Sequence, residues 1–321
     1  MKILVAGGAG YIGSALIPKL LDRGYKVDVI DLFWFGNHLP KEAGVVNKDL
    51  FRVDEQDLHG YEQVIFLAGL SNDPMAEFSP SKNFIYNAAT PAYLAYMAKR
   101  AGIKRFIYAG SCSVYGYRGN ELSTEEDPPV SNYPYGISKL QGERAVLQMV
   151  EKNFSTICLR QGTVCGYSPR MRLDLVVNAM FKSAMTDQII TVNNPSIWRP
   201  VLSMHDAADA YIRAIECHED ISGIFNIASG NYTVGEIADL VRNVMEQRLK
   251  MNIRLDIRQQ QDFRNYKVSI EKARNILSFK PRHDIESIVN DLLDNKEQFK
   301  ELNNPEYYNI LVFKELEKKQ K

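Results

Sequence analysis

The sequence predicts an α/β protein built on a doubly wound parallel sheet, on three observations. An apolar run at the N-terminus leads into a glycine-rich turn and an apolar helix; short strand runs then alternate with helical stretches; and an aspartate closes the second strand run.

Taken in order, Lys2–Ala6 reads as a buried strand, residues 7–10 as a turn, and 11–23 as an apolar helix that Gly24 ends. Residues 26–30 form the second strand. Strand runs at 63–67, 105–109 and 156–159 alternate with helical stretches at 82–100 and 135–150, so βαβ units with right-handed crossovers are expected. After Gly166 the rhythm loosens into a basic loop at 168–172, a helix, a loop at 193–200 and mixed short elements. Neither a Pro- or Ser/Gly-rich linker nor an internal repeat separates the halves. The expected division is a nucleotide-binding domain over 1–166 and a smaller, interwoven α/β substrate lid over 167–321, with about 201–228 returning to the first domain. His205 and Asp206 open a helix in which Asp206 is expected to be a cap, and the lysine-rich stretch 314–321 reads as a solvated helix end.

Composition narrows the function classes. In 321 residues, 45% hydrophobic and 24% charged, 39 basic and 39 acidic side chains cancel, so no global field recruits nucleic acid or an anionic membrane. Cys112, Cys158, Cys165 and Cys217 show no C-x-x-C spacing and the five histidines are scattered, so no metal site is expected and a reducing, cytoplasmic compartment fits. Four glycines interrupt the apolar stretch from Lys2 to Ile17, which argues against a secretory signal, and no run is long enough to cross a membrane.

The strongest motif is Gly7-Gly8-Ala9-Gly10-Tyr11-Ile12-Gly13, after the first strand and at the start of the first helix. Glycines let a backbone turn tightly against a pyrophosphate, whose charge meets amide N–H groups and the positive helix end. Asp31, eighteen residues beyond Gly13, stands where a carboxylate accepts from an adenosine ribose and repels a 2′-phosphate, which favours NAD over NADP.

The spacing G-x-x-G-x-x-G resembles the extended short-chain dehydrogenase/reductase family, in particular its sugar-nucleotide epimerases and dehydratases. Residues 109–116, Ala-Gly-Ser-Cys-Ser-Val-Tyr-Gly, look like the family's strand-end serine segment, and Tyr135-Gly136-Ile137-Ser138-Lys139 looks like its Y-x-x-x-K helix. Tyr135 is the only one of seventeen tyrosines with a lysine four residues on, and it follows Ser111 by 24 residues. The resemblance implies cofactor contacts from Gly7, Gly10, Tyr11, Ile12, Gly13, Asp31, Asp49, Leu50, Leu67, Ala68, Gly69, Asn87, Tyr135 and Lys139. It implies that Tyr135 takes the proton of a sugar hydroxyl, that Ser111 hydrogen-bonds the same oxygen, and that Lys139 and the cationic nicotinamide lower the phenol pKa. A fall from ~10 by roughly three units represents about 4 kcal/mol.

Substrate contacts are expected from the second half. Arg160, Arg170, Arg172, Arg199 and Arg264 fall in loops or strand ends near the lid, and guanidinium suits phosphate. By resemblance Arg199 matches a diphosphate-contacting arginine and Arg264 lies near a second. Residues 162–178 resemble a bacterial subgroup that includes 4-dehydrogenases of GDP-manno-heptose in surface-polysaccharide biosynthesis, which implies that Arg170 and Arg172 reach phosphates or heptose and Asn178 the diphosphate. Thr163 and Pro200 depart from the family pattern, and Cys112-Ser113 replace the Asp-Glu pair of 4,6-dehydratases; the resemblance still implies that Ser111, Cys112, Ser113 and Thr163 stand beside the sugar. The expected activity is oxidation of C4 of a nucleotide-diphosphate sugar by a homodimer paired through helices 82–100 and 135–150. C4 epimerisation, dehydration with unusual acid/base residues, and a non-catalytic redox sensor are the alternatives.

Overall fold

The computed structural model describes residues 1–259 and 264–319. The chain runs β1 (Lys2–Ala6), α1 (Tyr11–Asp22), β2 (Lys26–Asp31), β3 (Gly44–Asn47), β4 (Gln63–Phe66), α2 (Asp73–Phe78) and α3 (Pro80–Phe84). A π-helical turn (Ile85–Ala89) leads into α4 (Thr90–Arg100), followed by β5 (Arg105–Ser111), β6 (Tyr117–Ser123), α5 (Pro134–Leu147) and β7 (Ser155–Gln161). The second half comprises β8 (Thr163–Cys165), α6 (Val176–Asp187), β9 (Ile189–Asn193), β10 (Trp198–Ser203), α7 (Met204–Glu216), β11 (Gly223–Ile227) and β12 (Gly230–Thr233). It ends with α8 (Val234–Leu249), β13 (Arg254–Arg258), β14 (Asn265–Val268), α9 (Glu271–Ile276), α10 (Ile285–Asp294) and α11 (Asn309–Lys319).

Seven strands form one parallel sheet in the order β3-β2-β1-β4-β5-β7-β11. Its central strands are apolar on both faces because helices cover both. Alternate residues point to opposite sides: Ile3, Val5, Ile65 and Ile107 meet Leu16, Ile17 and Ala207 of α1 and α7, while Leu4, Phe66, Phe106 and Tyr108 meet Leu94 and Val146 of α4 and α5. From β1 the chain winds outward to β2 and β3, then returns to lay β4 on the other side of β1. The carboxyl ends of β1 and β4 therefore splay into a crevice where the winding reverses. Over it lie the smaller sheets β12-β10-β8, β13-β9 and β14-β6.

Two expectations are corrected at this level, and two hold with added detail. The helix expected over 82–100 is present and carries a π turn, which points Asn87 inward to donate to the Leu70 carbonyl (2.9 Å), Asn83 Oδ1 (2.8 Å) and Ser138 Oγ (3.2 Å). Ser203, not Asp206, caps α7; Asp206 is buried and accepts from Ser229 Oγ (2.6 Å) and the Arg282 and His283 amides, tying the segment before α10 to α7. Arg160 is no loop cation but a buried residue of β7, paired with Glu143 of α5. Residues 314–319 form the largely exposed end of α11, as expected, with Phe313 just before them packed inward; residues 320 and 321 lie outside the described residues. Among the described residues no helix is long and apolar enough to cross a membrane.

Candidate functional site

A cavity of about 660 Å³ fills the crevice. Its floor is the turn after β1. Gly7 holds φ +77°, and a Cβ there would lie 2.4 Å from the Ala68 backbone nitrogen, so only glycine lets this turn press against the loop after β4. Gly10 precedes α1 with no side-chain cap, which leaves the first amides of that helix facing the cavity. At the end of β2, Asp31 accepts from the Ala9 amide (2.9 Å) and the Phe33 amide (2.8 Å), and burial pushes its carboxyl up. Tyr11, Ile12, Gly13, Asp49, Leu50, Leu67, Ala68 and Gly69 line the same wall. A glycine cradle that a single Cβ would fill, open helix amides and a strand-end carboxylate fit a dinucleotide. Asn87 is the exception among the expected contacts. It is fully buried behind Gly69, whose added Cβ would lie 2.1 Å from Asn87 Oδ1, so it braces the loop rather than lining the cavity.

Ser111, Tyr135 and Lys139 meet at the inner wall. Ser111 ends β5 and accepts from both Ser113 N (3.2 Å) and Ser113 Oγ (2.9 Å). Tyr135 stands in the first turn of α5, entered through Pro134, and shares a hydrogen bond with Ser111. Lys139 lies one turn further on the same helical face; its buried ammonium donates to the Ala109 carbonyl (3.0 Å) and sits over the Tyr108 ring. The charge logic differs from the sequence expectation. Burial pushes the Tyr135 phenol up to about 12, against the hydrogen bond from Ser111, and burial lowers Lys139 to about 8. Burial thus holds the phenol protonated in the chain by itself, and the expected lowering needs the positive charge of a bound cofactor in addition to that of Lys139.

The substrate-side residues divide. Ser113, Thr163, Arg170, Arg172, Arg199 and Arg264 line the cavity. Arg199 donates to the Arg264 carbonyl, and Arg264 pairs with Asp73 at 2.7 Å while lying over the Tyr133 ring. Arg172 is buried in a two-pronged pair with Asp174, both contacts 2.9 Å. Two expectations are corrected. Cys112 is fully buried, with its thiol donating to the Arg160 carbonyl, and burial pushes its pKa up; it turns away from the cavity. Asn178 is likewise enclosed: it accepts from the Gly166 amide (3.0 Å) and donates to Tyr11 Oη (3.0 Å) and the Arg172 carbonyl (2.8 Å), which leaves nothing to offer a ligand.

Sequence reasoning missed Asp73 and Asn309, which also line the cavity. For Asp73 a signal existed: Asn72-Asp73-Pro74 is a helix start, and Asn72 does cap α2, just past the loop at 67–69. For Asn309 there was none, since α11 reaches the site from far along the chain.

Comparison with known proteins agrees with this geometry. Residues 3–228 match the model of the NAD dependent epimerase/dehydratase family. A UDP-glucose 4-epimerase of Corynebacterium glutamicum is 26% identical over 312 residues, covering 91% of this chain and 94% of the relative. Another UDP-glucose 4-epimerase, of Lacticaseibacillus casei, is 28% identical, with 90% and 95% covered. Among solved structures, MoeE5 in complex with UDP-glucuronic acid and NAD superposes with a TM-score of 0.82 at 22% identity, over 93% of this chain and 99% of that one. The UDP-glucuronic acid 4-epimerase from Bacillus cereus gives 0.79 at 23% identity over the same shares. These structures share the fold, and the match over 3–228, on top of the glycine cradle and the Ser111, Tyr135 and Lys139 cluster, places the chain in the NAD-dependent epimerase/dehydratase family of sugar-nucleotide enzymes.

Proposed function

We propose that this enzyme oxidises the C4 hydroxyl of a nucleotide-diphosphate sugar and then reduces the 4-keto sugar from its other face, a C4 epimerisation. The observation that carries the reading is the hydrogen-bonded pair of Ser111 and Tyr135 at the inner wall, with Lys139 one helical turn behind. Bound NAD supplies the hydride acceptor. Tyr135 accepts the hydroxyl proton, Ser111 orients the same oxygen, and the ammonium of Lys139 favours the phenolate. Arg199 and Arg264 serve the substrate diphosphate, with residues 1–166 holding mainly the cofactor and 167–321 mainly the sugar nucleotide.

Dehydration is disfavoured by what stands after Ser111. Loss of water from C5 and C6 needs a base and an acid on the correct faces of the sugar. Cys112 is turned into the core, and Ser113 offers only a hydroxyl already bonded to Ser111. The similarity to UDP-glucose 4-epimerases supports epimerisation. Net 4-dehydrogenation of a GDP-heptose for surface polysaccharide is the second reading, supported by the likeness of residues 162–178. The homodimer we propose pairs α4 and α5 with their copies.

The test is product mass after incubation with NAD and a panel of UDP- and GDP-sugars. Unchanged mass with altered configuration supports epimerisation, and loss of two hydrogens supports the second reading. Loss of one water, dependent on Tyr135, would refute both.

A further inference from the structure

Arg170 is only 3% exposed, yet among the described residues no carboxylate forms an ion pair with it. Its guanidinium donates to Asn309 Oδ1 at 2.5 Å and lies 3.7 Å over the Phe35 ring. A neutral amide and an aromatic face are weak compensation for a cation removed from water. Its neighbour Arg172 is neutralised by Asp174, so of these two buried arginines one is ion-paired and the other is held by neutral groups. Burial, followed by the field of Arg172, accordingly lowers Arg170 to about 9.

Its position says which anion it can pair with. Arg170 lines the cavity together with Gly10 and Tyr11, where the uncapped first turn of α1 presents its amides. Asp174 and Tyr11 act on both arginines, but Arg170 also lies within the field of Asp31 at the end of β2, toward the adenosine end of the crevice, whereas Arg172 lies within that of Tyr135. Two sources of positive potential, a helix N-terminus and a buried guanidinium, thus face one space.

The seat of Arg170 is built by the far end of the chain. Asn309, 5% exposed, accepts from Arg170 and donates to Ser71 Oγ at 2.7 Å, bridging the two walls. It begins α11, which is fixed by Phe313 packed against Trp34 and Phe78 (ring centroids 5.6 and 5.9 Å) and by an ion pair between Lys82 and Glu317.

We propose that Arg170, seated by Asn309, binds the diphosphate of the dinucleotide cofactor, not that of the sugar nucleotide, so that α11 governs how firmly the cofactor is held. The proposal rests on the crevice between β1 and β4 being the cofactor's.

The test is equilibrium binding of four probes to the full chain: NADH, ADP, adenosine and UDP. Arg170→Gln is expected to weaken NADH and ADP by about tenfold or more while adenosine stays within about twofold, and Arg170→Lys to recover part of the loss. Asn309→Ala, which leaves the arginine in place but unseated, should weaken NADH and ADP several-fold and speed NADH release. Unchanged ADP and NADH binding in Arg170→Gln would overturn the proposal. So would a proportional loss of adenosine, which marks a merely structural role, or a selective loss of UDP, which would return Arg170 to the substrate. If the unmutated chain bound neither NADH nor ADP while still binding UDP, the assignment of the crevice itself would fall, and the proposal with it.

Discussion

Arg160 and Glu143 face each other between β7 and α5 through two hydrogen bonds, 2.8 Å from Nε and 2.6 Å from Nη2, with side chains only 2% and 1% exposed. The same guanidinium donates to Tyr115 Oη at 2.8 Å, just beyond Ser111, and Glu143 continues the helical face of Tyr135 and Lys139. The pair therefore ties the segment bearing Ser111 to the helix bearing Tyr135. Glu143→Gln leaves the buried arginine without its counterion and is expected to cost about 3–5 kcal/mol. The check is the denaturant midpoint at unchanged slope. The double change Glu143→Leu with Arg160→Met should cost less than the two single changes summed.

Tyr135→Phe deletes the proton acceptor and little else. Binding of NAD should stay within a few-fold, while turnover of an accepted sugar nucleotide should fall by roughly 10²–10⁴. Turnover within a few-fold of the unmutated enzyme would remove Tyr135 from its assigned role.

The pH profile tests Lys139. The ligand-free phenol stands near 12, so the active phenolate depends on nearby positive charge, and the rate should rise with pH through an acidic limb. Lys139→Met removes one such charge; the limb should move to higher pH and turnover at neutral pH should drop. A limb at the same pH in both proteins would exclude Lys139 from setting it.

Cofactor choice is assigned to Asp31. Its carboxylate should disfavour a 2′-phosphate, giving NAD at least about tenfold over NADP, and Asp31→Ala should narrow that gap. Because burial raises its pKa, mild acid neutralises it sooner than an ordinary carboxylate, so the gap should also narrow as pH falls. Calorimetric titration with both cofactors at neutral and mildly acidic pH measures each effect.

Asp206 predicts acid sensitivity. Burial opposes its charge, but the hydrogen bonds from Ser229 and His283 prevail and hold its carboxyl below the usual range. A depressed folded pKa means that the stabilisation is fully present above the unfolded value of ~3.9 and is lost as pH falls through the folded one. Asp206→Asn should cost about 2 kcal/mol at neutral pH and flatten the acid side of a Tm-against-pH curve. An equally steep acid limb in the variant would contradict this.

Local signals carried much of the reading. Gly7, Gly10 and Gly13 announced their turn because a turn's backbone demands are met by residues adjacent in the chain, and Tyr135 and Lys139 announced their helix face because 3.6 residues per turn brings them together. Long-range partners left no such mark. Arg160 looked like any strand-end arginine until its register beside β5 and β11 put it over Glu143, and Cys112 and Ser113 looked equivalent until the turn after β5 sent one into the core and the other to the cavity.

Periodicity and spacing within single elements were enough to specify the alternation of apolar strands and helices, the glycine cradle, the carboxylate at the end of β2 and the shared helix face of Tyr135 and Lys139, whereas Ser111 joined them only through resemblance to a known family. Which arginines carry an internal counterion, that Asn87 and Asn178 brace the cavity from behind, and that Asn309 of α11 reaches the crevice became legible only in the folded chain. Burial and ion pairing depend on what other segments of the chain lie within a few ångströms, and that proximity belongs to the fold.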